Sequence, residues 1–121
     1  MRSCIRISKF PNPLCMNLQA NWARSIWERM RGLIGRPPLR AGNALLITPC
    51  SSVHTFGMQY PLDLVFLNAR GRAVKLVSNL RPRRIAGCLG AKHVLEMPAG
   101  SIEAFQIEPG QIFNWEVVRG Q

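Results

Sequence analysis

Short apolar runs, broken every few residues by glycine, proline or charge, dominate this chain and predict strands rather than long helices. Leu18 to Arg24 reads as a first strand, Ala44 to Thr48 as a short buried one, and Ser52 to Met58 as another that ends where Tyr60-Pro61 breaks it. Leu62 to Leu67 is almost wholly apolar, so both of its faces are expected to be covered. Asn68-Ala69-Arg70-Gly71 supplies a turn, and Arg72 to Val77 returns as the partner strand of a hairpin. Val94 to Met97 and Ile112 to Val118 are further strands, with Pro98-Ala99-Gly100 and Pro109-Gly110 as turns. One segment carries the helical period instead. Ser25 and Glu28 form a capping box, and Ile26, Trp27, Met30, Leu33 and Ile34 recur on one face before Gly35 and Pro37-Pro38 stop the helix. The fold class is therefore mostly β (α+β): a small closed or half-open β-barrel of roughly six or seven short strands with one short amphipathic helix.

Composition narrows this picture. With 121 residues, 47% of them hydrophobic, the chain suits one domain with its own core. Residues 1–16 read as a basic, proline-containing, loosely ordered leader, and residues 17–121 as a single β-rich domain. Arg6, Lys9, Pro11 and Pro13 interrupt any signal-peptide apolar region, and no run reaches the ~20 residues of a transmembrane segment, so the expected compartment is the cytoplasm. Cys4, Cys15, Cys50 and Cys88 form no CxxC pair, which argues against a structural zinc site.

Sixteen Lys and Arg against six Asp and Glu give a formal net charge of +10, which favours acidic partners. The distribution says more than the sum. No acidic residue lies between Asp63 and Glu96, whereas that stretch carries Arg70, Arg72, Lys75, Arg81, Arg83, Arg84 and Lys92. Arg81-Pro82-Arg83-Arg84 suits anion capture, because guanidinium groups bind phosphate and carboxylate through paired hydrogen bonds.

Several segments together resemble a known family. Arg29-x-Arg31-Gly32-Leu33-Ile34-Gly35-Arg36 is followed by Pro49-Cys50-x-x-Val53-His54-Thr55-Phe56-Gly57-Met58, then Pro61-Leu62-Asp63-Leu64-Val65-Phe66-Leu67, Leu95-Glu96-Met97-Pro98-Ala99-Gly100 and Glu108-Pro109-Gly110. In order and spacing these are similar to the domain-of-unknown-function family 192 of uncharacterised bacterial and archaeal proteins, over roughly residues 17–118. The resemblance implies a compact β-rich fold with one short helix and no agreed activity. Members occur with and without secretion signals, and this chain departs from the exported form.

Candidate chemistry centres on a carboxylate in an oily strand. Asp63 lies within Leu62-Asp63-Leu64-Val65-Phe66-Leu67, and an unpaired charge there is strongly disfavoured. His54, Arg24 and the basic loop are its available partners. A structural reading makes Asp63 half of a buried pair; a functional one makes it a wall of a polar ligand-binding patch with His54, Glu96 and Met58. Cys50-x3-His54-x3-Met58 offers soft ligands, yet residues four apart in a strand lie ~13 Å from each other, too far for one metal. Cys50 and Cys88 could pair as a disulfide in an oxidising setting or remain buried thiols. No GxSxG, HExxH, P-loop or GxGxxG motif is present, and no cofactor is implied.

The leading expectation is a non-enzymatic binding or assembly module whose patch of His54, Asp63 and Glu96 recognises a small ligand or protein, with the basic loop attracting anions. The alternatives are a small acid/base enzyme using the same patch and a nucleic-acid-binding accessory protein led by Arg81, Arg83 and Arg84. The last requires exposed aromatics on the basic surface.

Overall fold

The computed structural model of this chain describes residues 3–10, 18–23 and 42–118. These form nine strands and one helical turn: β1 (Ser3–Phe10), β2 (Leu18–Ala23), β3 (Asn43–Ile47), β4 (Ser52–His54), β5 (Leu62–Leu67), β6 (Ala73–Leu80), β7 (Ile85–Gly87), β8 (His93–Pro98), α1 (Ser101–Ala104) and β9 (Ile112–Val118). Seven strands make one sheet in the order β6-β5-β8-β3-β2-β1-β9, and β4 pairs with β7 in a separate two-stranded sheet. Neighbours run antiparallel except β2 and β3, which are parallel.

Every residue of β5 is buried, as its unbroken apolar run requires. Successive strand side chains point to opposite faces, and the large sheet accordingly has a core on each. Ala44, Leu46, Val65, Leu67, Leu95 and Met97 pack on one face with Ile102, Ile107 and Phe113. Leu45, Ile47, Leu62, Leu64, Phe66 and Val94 pack on the other, covered by Val53, Met58 and Ala86 from β4, the loop after it and β7. The small β4–β7 sheet is thus a lid on the second face, held down by three inward side chains.

The hairpin at Asn68–Gly71 forms as its sequence predicts. The Asn68 side-chain Oδ1 accepts from the backbone N–H groups of Arg70 (2.9 Å) and Arg72 (3.0 Å), and the Gly71 N–H bonds the Asn68 carbonyl at 2.9 Å. Gly71 is obligatory here. Its φ is 83°, and a Cβ would stand 2.4 Å from the Phe113 carbonyl oxygen.

Three expectations change. Of the closed or half-open barrel expected, the closed form is not found among the described residues: the sheet is open, and its edge strands β6 and β9 approach only at an isolated bridge between Arg72 and Ile112, flanked by Phe113 N–H to Gly71 O (2.7 Å) and Ala73 N–H to Gln111 O (2.8 Å). Ser3–Phe10, read above as part of a loose leader, is instead a strand between β2 and β9, with Ile7 and Lys9 buried. The strand expected over Ser52–Met58 ends at His54, because Gly57 at φ 88° turns the chain and the Met58 N–H bonds the Thr55 carbonyl at 3.1 Å. The amphipathic helix expected from Ser25 to Gly35 lies outside the described residues, as do Trp27 and Arg24 beside or within it. Among the described residues no helix is long and apolar enough to cross a membrane.

Candidate functional site

Asp63 is buried, at 1% exposure, and its carboxylate is satisfied entirely by backbone. Oδ1 accepts from the Asn79 N–H at 2.8 Å, and Oδ2 accepts from the N–H groups of Gly100 (3.1 Å) and Ile102 (2.9 Å). The pairing slips between Leu62 and Leu64, where β6 bulges and Asn79 takes a φ of 55°. One side chain therefore ties the β6 bulge to the first turn of α1, whose early N–H groups need acceptors.

Glu96 is not part of that arrangement. Asp63 is in register with Met97, and Leu64 with Glu96, so Asp63 shares the Met97 face while Glu96 shares the face of Leu64 and Val94. Glu96 is itself buried and in register with Leu45 on its other side. Its charge is felt by Tyr60, whose phenol is pushed above its ordinary value by burial first and by Glu96 second. His54 belongs to neither group: it is exposed on β4, opposite Ile85, with its ring 6.0 Å from that of Phe56. Met58 is buried in the second core. The expected patch of His54, Asp63 and Glu96 is therefore not assembled, and no acid/base pair among the three is brought together.

Cys50 and Cys88 are both half-buried; Cys50 Sγ lies 3.1 Å from Ser52 O, and Cys88 Sγ lies 3.5 Å from Leu89 O. Among the described residues no group of three or more His, Cys, Asp and Glu is gathered as a metal site would need.

The basic loop has a definite geometry. Thr55 is completely buried, and its hydroxyl donates to Arg81 O at 2.6 Å while accepting from the Arg84 N–H at 2.8 Å. Its backbone N–H bonds Arg84 O at 2.8 Å, and its carbonyl accepts from the Arg83 N–H at 3.3 Å. Arg83 takes a left-handed φ of 65° within this clamp. Arg81, Arg83 and Arg84 are all exposed, and among the described residues no acidic side chain pairs with them. Arg84 folds back on the carbonyl of Arg83 at 3.3 Å. Beside the loop stand two exposed apolar side chains, Phe56 at 49% and Ile85 at 71%. Sequence reasoning missed Thr55, Phe56 and Ile85 as a set, because their meeting depends on the β4–β7 pairing, and three-residue strands leave no periodic signal.

A second cluster also escaped it. His93 Nδ1 lies 2.6 Å from Thr48 Oγ1, and the His93 ring meets Trp115 edge-on, with centroids 4.8 Å apart and planes at 76°. Burial, and then the adjacent Lys92 charge, hold the imidazole below its ordinary pKa.

Comparison with known proteins places this architecture. A UPF0127 protein of Thermococcus sibiricus is 32% identical over 101 residues, covering 78% of this chain and 64% of that protein, so the chain matches just under two thirds of that relative's length. A UPF0127 protein of Pyrococcus furiosus is 29% identical over 106 residues, covering 83% of this chain and 89% of that protein. Two solved structures share the fold. A protein of unknown function from Novosphingobium aromaticivorans superposes with a TM-score of 0.79 at 20% identity, over 94% of this chain and 85% of that one. A putative transcription regulator from Sinorhizobium meliloti superposes with a TM-score of 0.78 at 18% identity, over 95% and 94% respectively. The family model described as "Uncharacterized ACR" matches residues 11–115, nearly the whole chain, and this protein therefore belongs to the DUF192 family.

Proposed function

We propose that this chain is a non-enzymatic binding module whose working surface is the clamped loop Arg81–Arg84 with His54, Phe56 and Ile85 on the outer face of the β4–β7 lid. The observation that carries this reading is the buried Thr55 clamp, which fixes a loop of three exposed arginines beside exposed apolar side chains. Ordering a loop before a partner arrives lowers the entropy lost on binding. Clustered guanidinium groups supply charge-assisted hydrogen bonds, and Phe56 and Ile85 supply apolar anchors of the kind found at protein interfaces. The partner that fits is a protein surface with carboxylates around an apolar centre.

A second reading, single-stranded nucleic acid, draws on the neighbouring rings of Phe56 and His54 beside the arginines. Fluorescence anisotropy separates the two, using a labelled peptide that alternates glutamate and leucine and a labelled oligothymidine of similar length. The expected result is peptide binding that weakens about tenfold or more, about 1.4 kcal/mol, in the Arg81→Ala/Arg83→Ala/Arg84→Ala variant, and severalfold in Phe56→Ala/Ile85→Ser. Tighter oligothymidine binding that collapses between about 50 and 200 mM salt establishes the second reading instead. Equal binding of both probes by wild type and triple variant overturns the proposal.

A further inference from the structure

We propose that the partner of the lid surface docks as an extended segment, adding a third strand to the free edge of β7. This inference rests on the binding reading above and names the form in which an acidic partner with an apolar centre arrives.

The register of the lid decides which of its backbone groups are engaged. Ser52 faces Gly87, Val53 faces Ala86 and His54 faces Ile85. The bonds that continue this ladder at its two ends run from the Thr55 N–H to Arg84 O (2.8 Å) and from the Cys88 N–H to Ser51 O (3.0 Å). Bonded and unbonded positions alternate in an antiparallel pair, so Ile85 and Gly87 turn their N–H and C=O groups away from β4. Among the described residues one of these four groups has a partner: Gly87 O accepts from Lys75 Nζ at 2.8 Å. The Ile85 N–H, the Ile85 C=O and the Gly87 N–H are left to pair with another chain.

Both ends of this short edge are fixed. The Thr55 clamp holds the chain before Ile85, and the Cys50 N–H to Lys92 O bond (2.8 Å) fastens the chain after Gly87. An edge already in place loses little entropy on strand addition, in which main-chain bonds supply affinity and alternate side chains supply selectivity. Ile85 is the side chain that β7 presents outward, since Gly87 has none and Ala86 is buried. An added strand sets every second side chain beside Ile85, where an apolar group packs. Its other side chains fall on the inner side, where the exposed Lys75 already reaches the edge. Arg81, Arg83 and Arg84, all exposed, stand just ahead of the strand. Carboxylates complement these cations, so the fitting segment alternates acidic and apolar residues.

The test uses the labelled peptide of alternating glutamate and leucine in two further forms, one N-methylated at every leucine amide and one at every glutamate amide. In a strand these two sets of amides point to opposite edges. One form should lose about tenfold or more in affinity, and the other less than about threefold. Hydrogen exchange followed by NMR should slow about tenfold or more at the Ile85 and Gly87 amides when the unmodified peptide saturates the protein. Equal effects in the two forms, or edge amides that exchange unchanged with peptide bound, overturn strand addition while leaving an arginine-dependent contact in place. An unmodified peptide that does not bind at all overturns this inference and the binding reading together. A free protein that sediments as a dimer and stays dimeric with peptide bound gives the edge to a second copy, which also overturns the proposal.

Discussion

Asp63 and Glu96, two buried carboxyl groups on adjacent strands, point to opposite faces of the same sheet: Asp63 is in register with Met97, and Glu96 with Leu64. A single polar cavity containing both is thereby excluded by the pleat itself. Each belongs to a different core, and each has a different task. Asp63 is a structural latch that gathers three backbone N–H groups, whereas Glu96 sits in an apolar layer near Tyr60.

The separation has a measurable consequence. Asp63→Ala deprives the buried Ile102 N–H and the part-buried Asn79 and Gly100 N–H groups of their acceptor; a buried orphan costs about 1–3 kcal/mol and a part-buried one less, so the variant should lose about 2 kcal/mol or more in urea denaturation. Combined with Glu96→Gln, the losses should add within about 0.5 kcal/mol, as expected for side chains separated by the sheet itself. A coupling of about 1 kcal/mol or more would show that the two carboxyl groups communicate.

Thr55 offers a way to disturb the arginine loop without changing its charge. Thr55→Val keeps the shape but deletes the hydroxyl that bonds Arg81 O and the Arg84 N–H. Stability should fall by about 1–3 kcal/mol. Affinity for the acidic peptide should fall as well, although net charge is untouched. Unchanged affinity would mean that loop order contributes nothing to binding.

His93 makes stability depend on pH with a definite sign. Its folded pKa lies below the ordinary value of 6.5, so the unfolded chain takes up a proton first. Stability is therefore independent of this group well above about pH 6.5, and falls as pH drops through that value toward the lower folded pKa. In thermal melts, His93→Gln should show a shallower loss between about pH 7 and 5 than the wild type. Identical slopes for the two proteins would remove His93 from the account.

Much of the fold could be read from local pattern. The run Leu62–Leu67 announces a strand covered on both sides, and Asn68–Gly71 announces its turn; both follow from side-chain period and backbone freedom. Other elements carry no such mark. β1 hides because Arg6 and Lys9 flank Ile7 in a segment that reads as a basic leader, and the burial of Lys9 is a tertiary outcome. β7 is three residues long, and Ile85 within it faces solvent. The oddity of Asp63 was legible, but its partners were not, since backbone N–H groups leave no signature in residue type. The contact of His93 with Trp115 joins β8 to β9, strands far apart in the sheet order, and only the curvature of the sheet brings them together.

Among the described residues β6 is an outer strand of the large sheet, joined to the β9 side only at its Ala73 end, and such a margin could recruit another chain into fibrous stacks. The bulge at Asn79 makes that margin irregular, which disfavours regular pairing with an added strand. The same kink that brings the Asn79 amide to Asp63 thus also spoils the regularity that strand addition needs, so the shape of this edge depends on a buried carboxylate on the next strand.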